Sequence, residues 1–139
     1  MGQARDLMDR VSASLVAKDL DALGKLYAPD AVAVAPDAGE IKGRQEIVGW
    51  MREFVTAFPD ITFDLVAKHE DGDTAIDEGY VIGTNTGPLT TPEGELPATG
   101  KRIRLRECDV AVVRDGLIYE HHFYYDQTEF MTQLGLATT

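Results

Sequence analysis

Two carboxylic acids and a histidine lie near the C-terminal end of the chain, and these side chains are well suited to proton transfer. Glu107 and Asp109 belong to an apolar segment, residues 107–113, whose composition predicts a β-strand. Side chains two residues apart share one face of a strand, so both acids lie beside Ile103 and Leu105. Burial disfavours a charged carboxyl group, so these acids are either paired or protonated. Either state suits an acid/base or hydrogen-bond-donating role.

The histidine is one of two neighbours, His121 and His122, on a second predicted strand. A strict two-residue turn at 115–116 pairs Asp109 with His122. A three-residue loop over 114–116, with a bulged glycine, pairs Asp109 with His121 instead. A carboxylate that orients or charges an imidazole gives a pair capable of proton transfer. Neighbouring residues on a strand point to opposite faces, so the two histidines cannot share a metal ion, and the sequence predicts no metal site.

Size, charge and composition bound the class of function. The chain has 139 residues, of which 44% are hydrophobic and 27% charged, which predicts one globular domain over residues 1–139. The formal net charge of -11 argues against nucleic acid or membrane as a partner, because both attract clusters of Lys and Arg. No apolar run reaches about 18 residues, and Cys108 is the single cysteine, so a cytoplasmic location is expected.

Helical periodicity dominates the first half of the chain. Apolar residues at four-residue spacing predict an amphipathic helix over residues 4–17. A second, shorter helix follows the capping residue Asp19 and is expected to end at Pro29. Residues 31–35 then predict a short strand, and residues 45–58 predict a third helix.

Alternating apolar and polar residues dominate the second half. Residues 61–67 and 75–84 predict one hairpin, and residues 101–113 and 117–126 complete an antiparallel sheet. The intervening residues 85–100 are rich in Gly and Pro and predict a long loop of the kind that often serves as a lid. Helices first and strands afterwards indicate an α+β domain, in which about three N-terminal helices cover one face of a curved antiparallel sheet.

Several short motifs are typical of one protein family. They are LYAPDA at 26–31, AFPD at 57–60, GTNTG at 83–87, TGK at 99–101, DGLI at 115–118, YD at 125–126 and QLG at 133–135. Together they resemble the SnoaL-like polyketide cyclases of the nuclear transport factor 2-like superfamily, which also contains ketosteroid isomerase and limonene epoxide hydrolase. The resemblance covers nearly the whole chain. It implies a cone-shaped roll with an apolar pocket between sheet and helices, and usually a homodimer.

The resemblance also implies roles for particular positions. Characterised cyclases carry their acid/base aspartate three positions before the equivalent of Asp126, which is Phe123 here, and a phenyl ring cannot transfer a proton. Their histidine on the preceding strand corresponds to Asp109. Asp109 is also similar in position to the protonated oxyanion-hole aspartate of ketosteroid isomerase. The base and the tyrosine donor of that isomerase correspond to Ala35 and Val11, so neither is retained.

The resemblance implies that the side chains at the positions of Asp109 and Phe123 both point into the pocket. This orientation favours the three-residue loop, which pairs Asp109 with His121. Such a pair would line the cavity. The expected cavity walls are aromatic side chains that can stack on a flat ligand, namely Tyr27, Trp50, Phe54, Phe123 and Tyr125.

Two functions fit these residues. The first is a cofactor-independent acid/base enzyme of the cyclase or isomerase type, acting on a small hydrophobic carbonyl or polyketide-like compound. Asp109 would be the acid or oxyanion stabiliser, His121 its partner and Glu107 a second pocket acid. The alternative is a noncatalytic small-molecule-binding or dimerisation domain, which Phe123 at the acid/base position favours.

Overall fold

A computed structural model describes residues 2–91 and 93–136. The helices are α1 (Gln3–Ala17), α2 (Leu20–Gly24), α3 (Arg44–Ala57) and α4 (Gln127–Gln133). The strands are β1 (Tyr27–Ala35), β2 (Gly39–Lys42), β3 (Thr62–Asp71), β4 (Thr74–Thr84), β5 (Leu89–Thr91), β6 (Gly94–Leu96), β7 (Arg102–Arg114) and β8 (Leu117–Tyr125).

Helix α1 forms because its apolar residues recur on one face. Leu7, Val11 and Leu15 are buried, and the helix lies against β3, β4 and β7. Burial of each such side chain contributes about 1.5–3 kcal/mol, so packing on the sheet stabilises α1 more than helix propensity does. The helix ends at Ala17, and the next residue, Lys18, has a left-handed backbone (φ 58°) and donates its N–H to the carbonyl oxygen of Leu15 at 3.1 Å.

The second helix is shorter than its apolar pattern predicts. Asp19 caps it as expected, by accepting a hydrogen bond from the Ala22 N–H at 3.0 Å. The helix ends at Gly24, however, so the predicted end at Pro29 is wrong. The chain leaves the helix early because its backbone already pairs with β8, where the Ile118 N–H donates to the carbonyl oxygen of Leu26 at 2.8 Å.

Six strands form one curved sheet in the order β2-β1-β8-β7-β4-β3. All neighbouring pairs are antiparallel except β1 and β8, which run parallel, so the expectation of a wholly antiparallel sheet needs this correction. The segment 85–100 is also more ordered than predicted, because β5 and β6 form a separate two-stranded hairpin within it. Apart from these two points, the structure confirms the α+β cone with its helices on one face.

The turn between β7 and β8 differs from both registers considered above. It is a two-residue turn in which Asp115 and Gly116 have positive φ angles of 54° and 78°. The register then shifts within β8, where Val112 pairs with Glu120 but Val113 pairs with Ile118. One extra residue, Tyr119, therefore bulges out of β8.

This bulge places Asp109 opposite Phe123, so both predicted backbone registers, with Asp109 opposite His121 or opposite His122, are wrong. The predicted side-chain pair of Asp109 with His121 does form, as a hydrogen bond of 2.7 Å. His121 lies opposite Ala111 instead. Because the offset is two residues, Asp109 and His121 still share the inner face and are diagonal neighbours.

The helices and the inner face of the sheet enclose two apolar clusters. The larger one joins α1 and α3 to the sheet, and the smaller one surrounds Phe58, Ile103 and Phe130 below α4. None of the helices in the described ranges is long and apolar enough to cross a membrane.

Candidate functional site

A chain of hydrogen bonds joins three buried side chains on neighbouring strands. The Tyr27 hydroxyl from β1 lies 2.7 Å from Nδ1 of His121, and Nε2 of His121 lies 2.7 Å from Oδ2 of Asp109. Tyr27 and His121 are 0% exposed and Asp109 is 6% exposed. Side chains that alternate along β1, β7 and β8 therefore meet in one dry layer of the sheet.

Burial shifts the titration of each member of this chain. It raises the pKa of Asp109 to about 8, with a further contribution from the nearby Asp77 carboxylate. It lowers the pKa of His121 to about 3 and raises the pKa of Tyr27 well above its ordinary range. All three groups are therefore uncharged near neutral pH.

Two proton arrangements satisfy this geometry. With Asp109 ionised, the His121 Nε2–H donates to the carboxylate, and the Tyr27 hydroxyl donates to Nδ1. With Asp109 protonated, its O–H donates to Nε2, and the Nδ1–H donates to the Tyr27 oxygen. The raised pKa of Asp109 favours the second arrangement at neutral pH. Uptake of one proton thus reverses both hydrogen bonds.

A buried ion pair flanks this chain on the side of β4. Asp77 lies opposite Asp109 in the sheet and forms a salt bridge with the guanidinium of Arg5, which is itself 2% exposed. Arg5 also donates to Asp9 and to the carbonyl oxygen of Ile76. Burial nonetheless raises the pKa of Asp77, and Arg5 partly offsets that effect. The ion pair links α1 to the sheet beside Asp109.

A cavity lies between α3, α4 and the inner face of the sheet. The volume open to the centre of a water-sized sphere is about 80 Å³. Its walls are almost wholly apolar, formed by Leu15, Trp50, Met51, Phe54, Ile61, Phe63, Val81, Leu105, Glu107, Phe123, Tyr125 and Phe130. Such a lining suits a small, largely apolar molecule that is oriented by very few polar groups.

Glu107 is the one carboxyl group in this lining. Burial raises its pKa from the usual 4.5 to about 9, with further contributions from Asp109 and Asp77. Within the described ranges we find no hydrogen bond or ion pair to its carboxyl group. Glu107 is therefore a protonated acid at neutral pH in the wall of an apolar cavity.

The cavity continues outward into a second depression, here called the mouth. The mouth is lined by Asp37, Trp50, Glu53, Phe54, Leu89, Thr90, Thr91, Glu93, Tyr125, Gln127, Phe130 and Met131. Four of these residues, Trp50, Phe54, Tyr125 and Phe130, also line the cavity. The Tyr125 hydroxyl donates to Oδ1 of Asp37 at 2.8 Å, which fixes a carboxylate where the cavity meets its mouth.

The structure separates the predicted site residues into two groups. Trp50, Phe54, Phe123, Tyr125 and Glu107 line the cavity. Asp109, His121 and Tyr27 do not, and the expectations that they face the cavity are wrong. The reason is the ring of Phe123, which stacks on His121 at 4.0 Å between centroids and touches Trp50 at 5.0 Å. Phe123 thus closes the imidazole off from the cavity.

Three further polar residues were missed in the sequence, namely Arg5, Asp77 and Asp37. A signal existed for Asp77, because it alternates with Ala75, Gly79 and Val81 on the inner face of β4. Arg5 sits in the apolar stripe of α1, which is unusual for an unpaired arginine and predicts a buried partner. For Asp37 no comparable signal exists, since its role depends on the contact with Tyr125, 88 residues away.

The described part of the chain holds no group of three or more His, Cys, Asp or Glu side chains arranged for a metal ion.

Solved structures with this architecture are numerous. IdmH from Streptomyces antibioticus, a candidate polyketide cyclase, is 25% identical, and the match covers 96% of this chain and 99% of IdmH with a TM-score of 0.79. A candidate SnoaL-like polyketide cyclase from Jannaschia sp. CCS1 is 16% identical, with coverage of 99% and 94% and a TM-score of 0.85. A protein with a ketosteroid isomerase-like fold from Catenulispora acidiphila DSM 44928 is 21% identical, with coverage of 94% and 92% and a TM-score of 0.75. Comparison with curated protein sequences gave no match.

These likenesses define the class as the nuclear transport factor 2-like α+β cone. The model of the SnoaL-like domain matches residues 6–121, and the chain belongs to that family.

Proposed function

We propose that this protein is a cofactor-independent acid/base enzyme of the cyclase or isomerase type, whose substrate is a small hydrophobic carbonyl compound bound in the aromatic cavity. The observation that carries the proposal is Glu107. Glu107 lines the apolar cavity, and its raised pKa leaves it protonated at neutral pH. A neutral carboxylic acid in a dry site can donate a strong hydrogen bond to a carbonyl oxygen.

Donation from Glu107 would stabilise the negative charge that develops on the carbonyl oxygen when a neighbouring carbon loses a proton. One such donor in a water-excluded site contributes about 10²–10³ in rate. The walls of the cavity support this role, because they keep water away from the developing charge and leave few competing polar groups.

The proton also needs an acceptor, and Asp37 is the group we assign to it. Its carboxylate lies at the junction of cavity and mouth and is oriented by the Tyr125 hydroxyl. A carboxylate with a fixed orientation can act as a general base towards a carbon-bound proton. In this step Glu107 would donate to the carbonyl oxygen while Asp37 takes the proton from the adjacent carbon, so the carbonyl group of the ligand would lie between the two carboxyl groups.

Asp109 and His121 take a positioning role in this proposal, in place of the reacting role expected from the sequence. Their hydrogen-bonded chain lies behind Phe123 and adjoins Glu107 on β7. At neutral pH both carboxyl groups are protonated, and once Asp109 ionises, above about pH 8, its charge raises the pKa of Glu107 further. The hydrogen bond with His121 holds Asp109 in place beside Glu107.

The test uses 2-tetralone, an apolar two-ring ketone, and follows exchange of its α-hydrogens in D2O by proton NMR at pH 7. The native protein should accelerate exchange over buffer. Glu107→Leu should reduce that acceleration by about 10²–10³, and Asp37→Asn should reduce it strongly as well. Glu46→Gln removes an exposed acid from the first turn of α3 and should change nothing. Exchange at the buffer rate with the native protein would contradict the proposal.

The alternative is a noncatalytic binding domain, which Phe123 favours because it occupies the family's acid/base position. In that case 2-tetralone would perturb the fluorescence of Trp50 in the cavity wall while its α-hydrogens exchanged no faster than in buffer. The two measurements together therefore separate catalysis from binding.

We also propose that the protein forms a homodimer through the outer face of its sheet. Val66 and Tyr124 on that face are 68% and 56% exposed, which is unusual for large apolar side chains. Light scattering should give twice the mass of one chain, and Tyr124→Arg should lower it. A single-chain mass for the native protein at micromolar concentration would contradict the dimer.

A further inference from the structure

Two sequence motifs, GTNTG at 83–87 and TGK at 99–101, meet at the base of the β5–β6 hairpin. Asn85 of the first motif is 0% exposed. Its side-chain oxygen accepts hydrogen bonds from the N–H of Thr99 at 2.8 Å and from the Thr99 hydroxyl at 2.9 Å. The backbones also pair, since the Asn85 N–H donates to the carbonyl oxygen of Lys101 at 2.8 Å. Asn85 therefore joins the segment that enters the hairpin to the segment that leaves it.

The amide nitrogen of Asn85 binds the hairpin base to helix α3. It donates to the carbonyl oxygen of Ala57, at the end of α3, at 3.1 Å and to that of Gly87 at 2.9 Å. All four hydrogen-bonding positions of the side chain are thereby used. Gly87 also approaches α3 so closely that a Cβ atom there would collide with the carbonyl oxygen of Thr56. The group formed by Asn85, Thr99, Gly87 and Ala57 is here called the clamp.

Beyond the clamp, an apolar pair of side chains docks the hairpin on the protein. The two strands form a sheet of their own, separate from the six-stranded sheet. Their cross-strand pair of Leu89 and Leu96 packs on the smaller apolar cluster around Phe58. The neighbouring pair of Thr90 and Glu95 is exposed. The position of the hairpin therefore depends on the clamp at its base and on this leucine pair.

The hairpin forms one side of the mouth. The mouth residues that it contributes are Leu89, Thr90, Thr91 and Glu93. The other sides of the mouth come from α3, α4, β8 and the segment after β1. The width of the mouth therefore depends on where the hairpin lies. Glu107 and Asp37 belong to other elements, so displacement of the hairpin would leave both carboxyl groups in place.

We propose that Asn85 is a positioning residue of this site, which holds the β5–β6 hairpin at the mouth so that the hairpin contacts the ligand and limits the access of water. Asn85 is not among the residues that line the cavity or the mouth, so it acts through the hairpin. This inference rests on the proposed function for the identity of the ligand-binding cavity. It adds a residue outside the cavity that controls how tightly the ligand is bound.

The first test measures the mouth in the free protein. Trp50 is the single tryptophan of the chain and lines both the mouth and the cavity, so acrylamide quenching of its fluorescence reports how open the mouth is. Asn85→Ala deletes the side-chain hydrogen bonds of the clamp and should raise the quenching constant at least about twofold. Thr99→Val removes only the hydroxyl and should raise it less. Thr99→Ser retains the hydroxyl and should match the native protein.

The second test separates positioning from stability through the kinetics of 2-tetralone exchange. Loss of contacts from the hairpin weakens binding, so Asn85→Ala should raise KM about 10-fold and leave kcat within about threefold. A variant that is only less stable has less folded enzyme, which lowers the apparent kcat and leaves KM unchanged. Gly87→Ala displaces the hairpin base by collision with Thr56 and should raise KM as well.

Asp19→Ala is the matched control. It removes the hydrogen bond that caps α2, an element that contributes no residue to the cavity or the mouth. Loss of that cap also lowers stability. The control should nevertheless keep the native KM and the native quenching constant.

The outcomes distinguish this inference from the proposed function. A native value of either the quenching constant or KM in Asn85→Ala would overturn the positioning role, and so would equal effects of Asp19→Ala. If Asn85→Ala does not fold, Gly87→Ala and the comparison of Thr99→Val with Thr99→Ser decide by the same criteria. If the native protein binds 2-tetralone without accelerating its exchange, the proposed function falls, and the dissociation constant replaces KM. If it does not bind 2-tetralone, both fall.

Discussion

Replacement of Glu107 by glutamine should change how the stability of the protein depends on pH. The folded protein holds the Glu107 proton up to about pH 9, whereas the unfolded chain releases it near the usual 4.5. Folding stability therefore falls as pH rises through that window. Each pH unit amounts to about 1.4 kcal/mol, so retention of the proton costs the folded state about 3 kcal/mol at pH 7. Glutamine is a neutral analogue of the protonated acid and avoids that cost.

Urea unfolding at pH 5, 6, 7, 8 and 9 provides the assay, with the fluorescence of Trp50 as the signal. The free energies of unfolding of the native protein and Glu107→Gln should be within about 1 kcal/mol at pH 5, and the variant should be more stable by about 3 kcal/mol at pH 7. Asp109 interacts with Glu107, so Asp109→Asn and the double variant Asp109→Asn with Glu107→Gln are measured in parallel to separate its contribution. Glu46→Gln should run parallel to the native protein throughout. A constant difference between Glu107→Gln and the native protein from pH 5 to pH 9 would refute the reasoning.

Three other substitutions test the packing around the site. Tyr27→Phe leaves Nδ1 of the buried His121 without a hydrogen-bond partner and should cost about 1–3 kcal/mol in urea unfolding, with no change in 2-tetralone binding. Arg5→Met leaves Asp77 buried without its partner and should lower the free energy of unfolding by about 3–5 kcal/mol at pH 7. The double variant Arg5→Met with Asp77→Leu should recover part of that loss. Equal stability of Arg5→Met and the native protein would contradict the role of the ion pair. Phe123→Ala should cost about 3–5 kcal/mol and expose His121, whose NMR signals should then become accessible to a soluble paramagnetic reagent.

Much of the fold could be predicted because it depends on local patterns. The predicted helices at 4–17 and 45–58 agree with α1 and α3 to within a residue at each end. The strand β2 was missed because it has four residues and only Ile41 of these is buried. The parallel pairing of β1 with β8 joins segments about 90 residues apart, and no local pattern encodes such a contact.

The candidate site could likewise be predicted only where it depends on local patterns. Alternation left His121 and His122 open as partners of Asp109, and the family resemblance favoured His121, which does form the hydrogen bond. Neither argument could show that both side chains lie outside the cavity. That depends on the bulge at Tyr119, which sets Phe123 opposite Asp109 and over the imidazole ring. A bulge adds one residue to a strand without a fixed sequence signature, so its position became visible only in three dimensions.

The pKa of Glu107 is the quantity on which the account depends most. It can be measured directly by NMR, from the 13Cδ chemical shift of Glu107 across pH 4 to 10, with assignment through the loss of the signal in Glu107→Gln. We expect a midpoint near pH 9, with a neutral carboxylic acid at pH 7. A midpoint near 4.5 would mean an ionised carboxylate at neutral pH, and would contradict the proposed role of Glu107 as a hydrogen-bond donor.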